Sequence, residues 1–108
     1  MTLPTEVTAF LRERISSLSE LELLLLLHAD ARRPWTATSA SAALRLTEPW
    51  VAVALERFVH AGFAQRAGDG PPAYRLDLAQ PELAATVDRV AAAYEGRRTR
   101  VIADIYER

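Results

Sequence analysis

At 108 residues, half of them apolar, the chain has material for a single hydrophobic core, and a formal net charge of -1 denies it the broad positive excess with which most nucleic-acid binders hold phosphates. The absence of cysteine excludes a disulfide framework, thiolate metal sites and thiol catalysis, and fits the reducing cytoplasm. The apolar runs, leucines 23–27 among them, are too short to cross a bilayer, and the amino terminus lacks the basic flank of an export signal, so a cytoplasmic protein without a membrane partner is expected. All the strong bases are arginine, a bias read as the codon usage of a GC-rich genome. Arginine's planar fork nevertheless suits guanine edges, phosphates and carboxylates alike.

The elements follow in chain order. Thr5 is placed to cap a first helix on which Val7, Phe10, Leu11 and Ile15 form one apolar stripe. Ser19 with Glu22 three positions on is a capping-box pattern, which predicts a second helix over 20–31. Leucine at 21 and 23–27 covers nearly its whole circumference and makes it the central core helix. Arg32, Arg33 and Pro34 end it, and Trp35 opens a new segment. Thr36 or Thr38 can cap a short helix through Leu44. After Leu46 the chain breaks again, with Thr47 as a cap and Pro49 in the first turn of a helix that runs to His60 or Ala61 and stops at Gly62.

Residues 63–66 and 73–78 read as two strands of a hairpin, separated by a Gly- and Pro-rich turn with Asp69 at its tip. From Pro81 the positions Leu83, Val87, Val90, Tyr94, Arg97, Val101 and Ile105 fall four or three apart, the spacing of a coiled-coil seam interrupted at Gly96 and Arg97. With Phe10 and Leu11 of the first helix this seam is expected to form a homodimer interface. The arginines 97, 98 and 100 are interleaved with Glu95, Asp104 and Glu107, which suggests spaced ion pairs rather than a phosphate patch.

The segments Trp35-Thr36-Ala37, Ala42-Ala43-Leu44-Arg45-Leu46-Thr47 and Val59-His60-Ala61-Gly62-Phe63, with Val51 and Leu55 between them, resemble the winged helix-turn-helix regulators of the MarR and ArsR type. The resemblance covers roughly 19–78. It implies a mainly α fold with a small β-hairpin wing, a single domain in which 1–18 and 79–108 add amino- and carboxy-terminal helices to the winged core. It also implies DNA binding as a homodimer, with the second motif helix in the major groove and the wing on the backbone. Arg45 and Thr47 fall at the turn of the motif as this resemblance places it.

Projection of 48–61 at about 100 degrees per residue puts Val51, Leu55, Phe58 and Val59 inward, and leaves Trp50, Val53, Glu56, Arg57 and His60 as the reading face. Double-stranded DNA would then meet Arg45, Thr47, Trp50, Val53, Arg57 and His60, with Arg66 and Arg75 of the wing on flanking phosphates. Glu56 and Asp77 are the expected ion-pair partners of these arginines. The apolar Trp50 and Val53 spot also fits an adaptor that holds a protein partner in place of DNA. Trp35, Tyr94 and Tyr106 could line an apolar effector crevice.

Enzyme chemistry has no foothold. His28 and His60 lack a partner constellation for metal, and His28 reads as a half-buried polar residue with a backbone partner. The serines and threonines of 36–41 have no nearby base or glycine-rich elbow, and no phosphate-binding loop occurs. A catalytic residue, a metal site and a cofactor are therefore not expected.

Overall fold

The computed structural model describes residues 3–68 and 70–106; Asp69 and Glu107 lie outside them. In chain order the elements are α1 (Thr5–Arg14), α2 (Leu18–Ala29), β1 (Trp35–Thr36), α3 (Ala37–Leu44), α4 (Glu48–Ala61), β2 (Ala64–Ala67), β3 (Ala73–Leu76), α5 (Pro81–Gly96) and α6 (Arg98–Tyr106). Helices with a small antiparallel sheet make the winged helix-turn-helix that the sequence suggests.

Helix α1 opens one residue earlier than its threonine implies. Pro4 takes the cap position and its carbonyl accepts the amides of Val7 and Thr8 at 3.1 Å. The capping residue of α2 is Ser17 rather than Ser19, and the acidic residue of its first turn is Glu20 rather than Glu22. Two serine-acid pairs compete in this stretch. Starting the helix at Leu18 lets the Ser17 hydroxyl accept the Glu20 amide at 3.2 Å, while Leu21, Leu23, Leu24 and Leu27 become fully buried. Leu25 and Leu26 stay half-buried, so the leucine helix is covered on most sides but not all.

Helix α3 is capped by Thr36, which exchanges hydrogen bonds with Ser39 in a reciprocal box. It ends on Arg45, whose φ of 57° is left-handed and whose amide returns to the Ser41 carbonyl. This single residue makes the turn of the helix-turn-helix. Leu46 and Thr47 then lead into α4, which has Pro in its first turn and ends at the left-handed Gly62, as its sequence implies.

The wing is a three-stranded sheet rather than a hairpin alone. Its order is β1-β3-β2, with Trp35 opposite Tyr74 and Arg66 opposite Tyr74 on the other side. A two-residue strand carries too little alternation to be read from sequence; β3 supplies the partner that makes it one. Trp35 is buried there, and the Arg33 guanidinium lies 3.7 Å from its ring centre.

The carboxy-terminal helix is two helices. Arg97 leaves helical geometry, with φ -141° and ψ 50°, and α6 turns to pack on α1 and α5. Arg12 of α1 reaches Asp104 at 3.7 Å, and Val101 and Ile105 are buried. Arg98 lies over the Tyr94 ring instead of joining a ladder of ion pairs. Among the described residues no helix is long and apolar enough to cross a membrane.

An arginine in the left-handed region carries a steric penalty that glycine does not. Arg45→Gly should therefore raise stability by about 0.5–1 kcal/mol, seen as a higher urea midpoint at unchanged slope. An unchanged or lower midpoint would show that the turn is not strained.

Candidate nucleic-acid interface

Helix α4 turns Val51, Ala54, Leu55 and Phe58 into the core and leaves Pro49, Val53, Arg57 and His60 exposed. Val53 keeps 61% of its surface. Two details differ from the helical projection. Val59 is half-buried, and its inward place is shared by Ala54. Trp50 is not a solvent-facing residue: it is half-buried and packs against the core, because it falls on the flank of the helix beside Ala54, where a large ring can fold onto the body.

The two flanks of α4 are fastened by carboxylates. On one side Arg57 Nη2 donates to Glu20 Oε2 at 2.8 Å, so its partner is a residue of α2 and neither Glu56 nor Asp77. Glu20 is buried, and its two oxygens lie 3.4 Å from the Ser16 amide and hydroxyl. On the other side Glu56 accepts from Arg66 Nε at 3.0 Å, from Arg66 Nη2 and from the Tyr74 hydroxyl. The wing is thereby tied to α4 through both of its long strands.

Three charge-assisted bonds on one carboxylate favour its ionised form. Arg66 first, and Tyr74 next, hold Glu56 down at about 2 against an ordinary 4.5. Burial pushes the Tyr74 phenol up, and its bond to Glu56 adds to the shift. Arg66 is raised by the same carboxylate.

Of the expected DNA-contacting bases, two are thus occupied within the chain. Arg45 at the turn and Arg75 on β3 are exposed and form no ion pair among the described residues. Thr47 is exposed at the start of α4, and its side chain makes no capping bond. Arg45 and Thr47 stand at the corner before α4 and Val53 and His60 on its outer face, while Arg75 neighbours Tyr74 on β3 and so falls on the sheet face opposite the Arg66 and Tyr74 side chains that bond Glu56.

The seam residues are placed otherwise than as a surface. Phe10, Leu11, Val87, Val90, Val101 and Ile105 are buried within one chain, because α6 turns back at Arg97 and covers its own apolar face; Leu83 and Tyr94 remain half-buried. His28 finds a side-chain partner rather than a backbone one, Asp88 Oδ1 at 2.7 Å across the α2-α5 contact. Tyr94 lines the crevice beside this pair, but Trp35 and Tyr106 do not, and Tyr106 is 69% exposed. Among the described residues no group of three metal-ligating side chains occurs.

No model of a protein family and no curated protein matches the sequence. Solved structures match the fold. MepR, a transcription regulator of the Staphylococcus aureus multidrug efflux pump MepA, aligns with a TM-score of 0.64 at 15% identity, over 94% of this chain and 75% of that one. Apo MarR from E. coli gives 0.61 at 12%, over 94% and 73%. The fold is that of the MarR-type winged helix. RV1404 from Mycobacterium tuberculosis gives 0.62 at 12% identity, and the present chain, 88% of which aligns, spans 64% of that protein. A single-residue variant of MepR bound to an oligodeoxyribonucleotide aligns with a TM-score of 0.63 at 15% identity, over 91% of this chain and 72% of that one.

Sequence projection missed Glu20 and Tyr74 as partners of the arginines at this surface. The Ser17-Leu-Ser-Glu20 spacing was a usable signal for the first, since a glutamate three positions after a capping serine sits at a helix mouth; nothing local pointed to the second.

A depressed carboxylate stabilises the fold above its unfolded pKa, and that stabilisation fades as pH falls through the folded value. Glu56 should therefore contribute fully above pH 4.5 and lose its contribution on approach to about 2. The gap in urea midpoint between wild type and Glu56→Gln is expected to be widest at neutral pH and to narrow across that window. A gap independent of pH would remove the assigned cause.

Proposed function

We propose that the protein is a DNA-binding transcriptional regulator that acts as a homodimer, with α4 in the major groove and residues 63–78 as a wing on the backbone. One observation carries the reading: the outer face of α4 is left open between a tight helix-turn-helix corner and a sheet bonded to that same helix. An α-helix held this way, proud of the body and flanked by strands, has the dimensions to enter a major groove. The fold shared with MepR, one variant of which is bound to an oligodeoxyribonucleotide, supports it.

In this reading Val53, with the exposed part of Trp50, supplies apolar contact to thymine methyls, and Arg57 and His60 supply donors to base edges. Arg45 and Thr47 at the corner, and Arg66 and Arg75 on the wing, meet phosphates on either side. Because Glu20 and Glu56 neutralise two of these bases, attraction to any duplex is modest, and the salt dependence rests on Arg45 and Arg75. Leu83 and Tyr94, which keep part of their surface on α5, are the members of the expected seam left to meet a second chain.

Replacing Arg45 or Arg75 by Ala should weaken binding to specific and random duplexes alike. Each change should also lower the slope of log affinity against log salt by about one. Fluorescence anisotropy across a salt series measures both, and slopes equal to wild type would take these arginines off the phosphates. Sedimentation equilibrium at micromolar concentration should show a dimer; a monomer alone would remove the homodimer from the proposal.

A further inference from the structure

Glu20 and Arg57 form an asymmetric ion pair, the carboxylate side chain 7% exposed and the guanidinium side chain 58%. A guanidinium has five N–H donors in a rigid fork, and one bond to Glu20 leaves its outer edge toward solvent. That edge opens on a cleft of about 430 Å³ which Ser16, His60 and Phe63 also line. Arg57 shares the exposed side of α4 with Val53 and His60, four residues before and three after it.

Were Arg57 to swing out to a phosphate, Glu20 would remain as a buried charge with two long contacts to Ser16 as its surviving hydrogen bonds. Stranding a buried charge in this way is strongly unfavourable. Arg57 must therefore meet DNA while still held by Glu20. The held pair has no net charge, so it adds little to the attraction of a phosphate lattice. What it offers instead is direction: donors at fixed positions, suited to two acceptors at fixed separation, which guanine presents as O6 and N7 in the major groove.

We propose that Glu20 is a positioning residue for base recognition, holding Arg57 as a guanine reader that contributes sequence preference rather than general affinity. The inference rests on the DNA-binding reading above. It differs from a purely structural ion pair in what it does to two kinds of duplex.

The test compares a duplex selected by the wild-type protein from a random pool with an unselected random duplex, at one salt concentration. Arg57→Ala and Arg57→Lys should each lower affinity for the selected duplex about tenfold or more, and change random-duplex affinity little. Glu20→Gln should lower affinity for the selected duplex about fivefold, and raise random-duplex affinity about twofold by freeing one positive charge. In the Arg57→Ala background Glu20→Gln should have no further effect on the selected duplex. Affinity raised for both duplexes by Glu20→Gln would overturn the proposal by making Glu20 a restraint on Arg57. Equal loss on both, or an Arg57→Lys protein that reads the selected duplex as wild type does, would reduce the pair to a structural one; the lysine variant decides the matter even if Glu20→Gln fails to fold. Wild-type protein that selects no duplex over random would instead sink the DNA-binding reading itself.

Discussion

Burial of one face of α4 against the body of the molecule sets everything that follows. Val51, Ala54, Leu55 and Phe58 have no access to water, and their removal from it fixes the rotation of the helix. A helix so pinned has no freedom in what it presents outward. Phe58 also meets Phe63 with ring centres 5.7 Å apart, and Phe63 meets Phe10 of α1 at 5.8 Å, so the helix, the start of the wing and the amino-terminal helix share one aromatic contact.

The polar tethers are arranged about that buried axis. Glu20 from α2 and Glu56 of α4 itself each take an arginine at opposite flanks of α4, and the half-buried Trp50 packs against the core. Surface ion pairs add little stability as a rule. Their effect here is on geometry and charge: the wing is bonded to α4, and of the four arginines of this surface two, Arg45 and Arg75, form no ion pair among the described residues.

The carboxy-terminal end illustrates how one residue redirects a pattern. The four-and-three spacing holds from Leu83 to Val101, with Ile105 four further on, and all of its apolar members are at least half-buried. Arg97 departs from helical geometry after Gly96, however, so the apolar line is folded upon α1 and α5 instead of running straight toward another chain.

What the residues determined by themselves was the order and ends of most elements: the leucine helix, the Thr36 cap, Pro49, Gly62 and the inward face of α4 all follow from spacing, capping and backbone preference, which act over a few positions. What tertiary structure decided was every pairing across distance. Whether Ser17 or Ser19 caps α2, that Glu20 meets Arg57 across 37 positions, that His28 meets Asp88 across 60, and that Trp35 and Thr36 become a strand beside β3 depend on which surfaces the core brings together. Local sequence carries no term for such contacts, because a carboxylate's partner is chosen by proximity in the folded body and by the penalty of burying it alone.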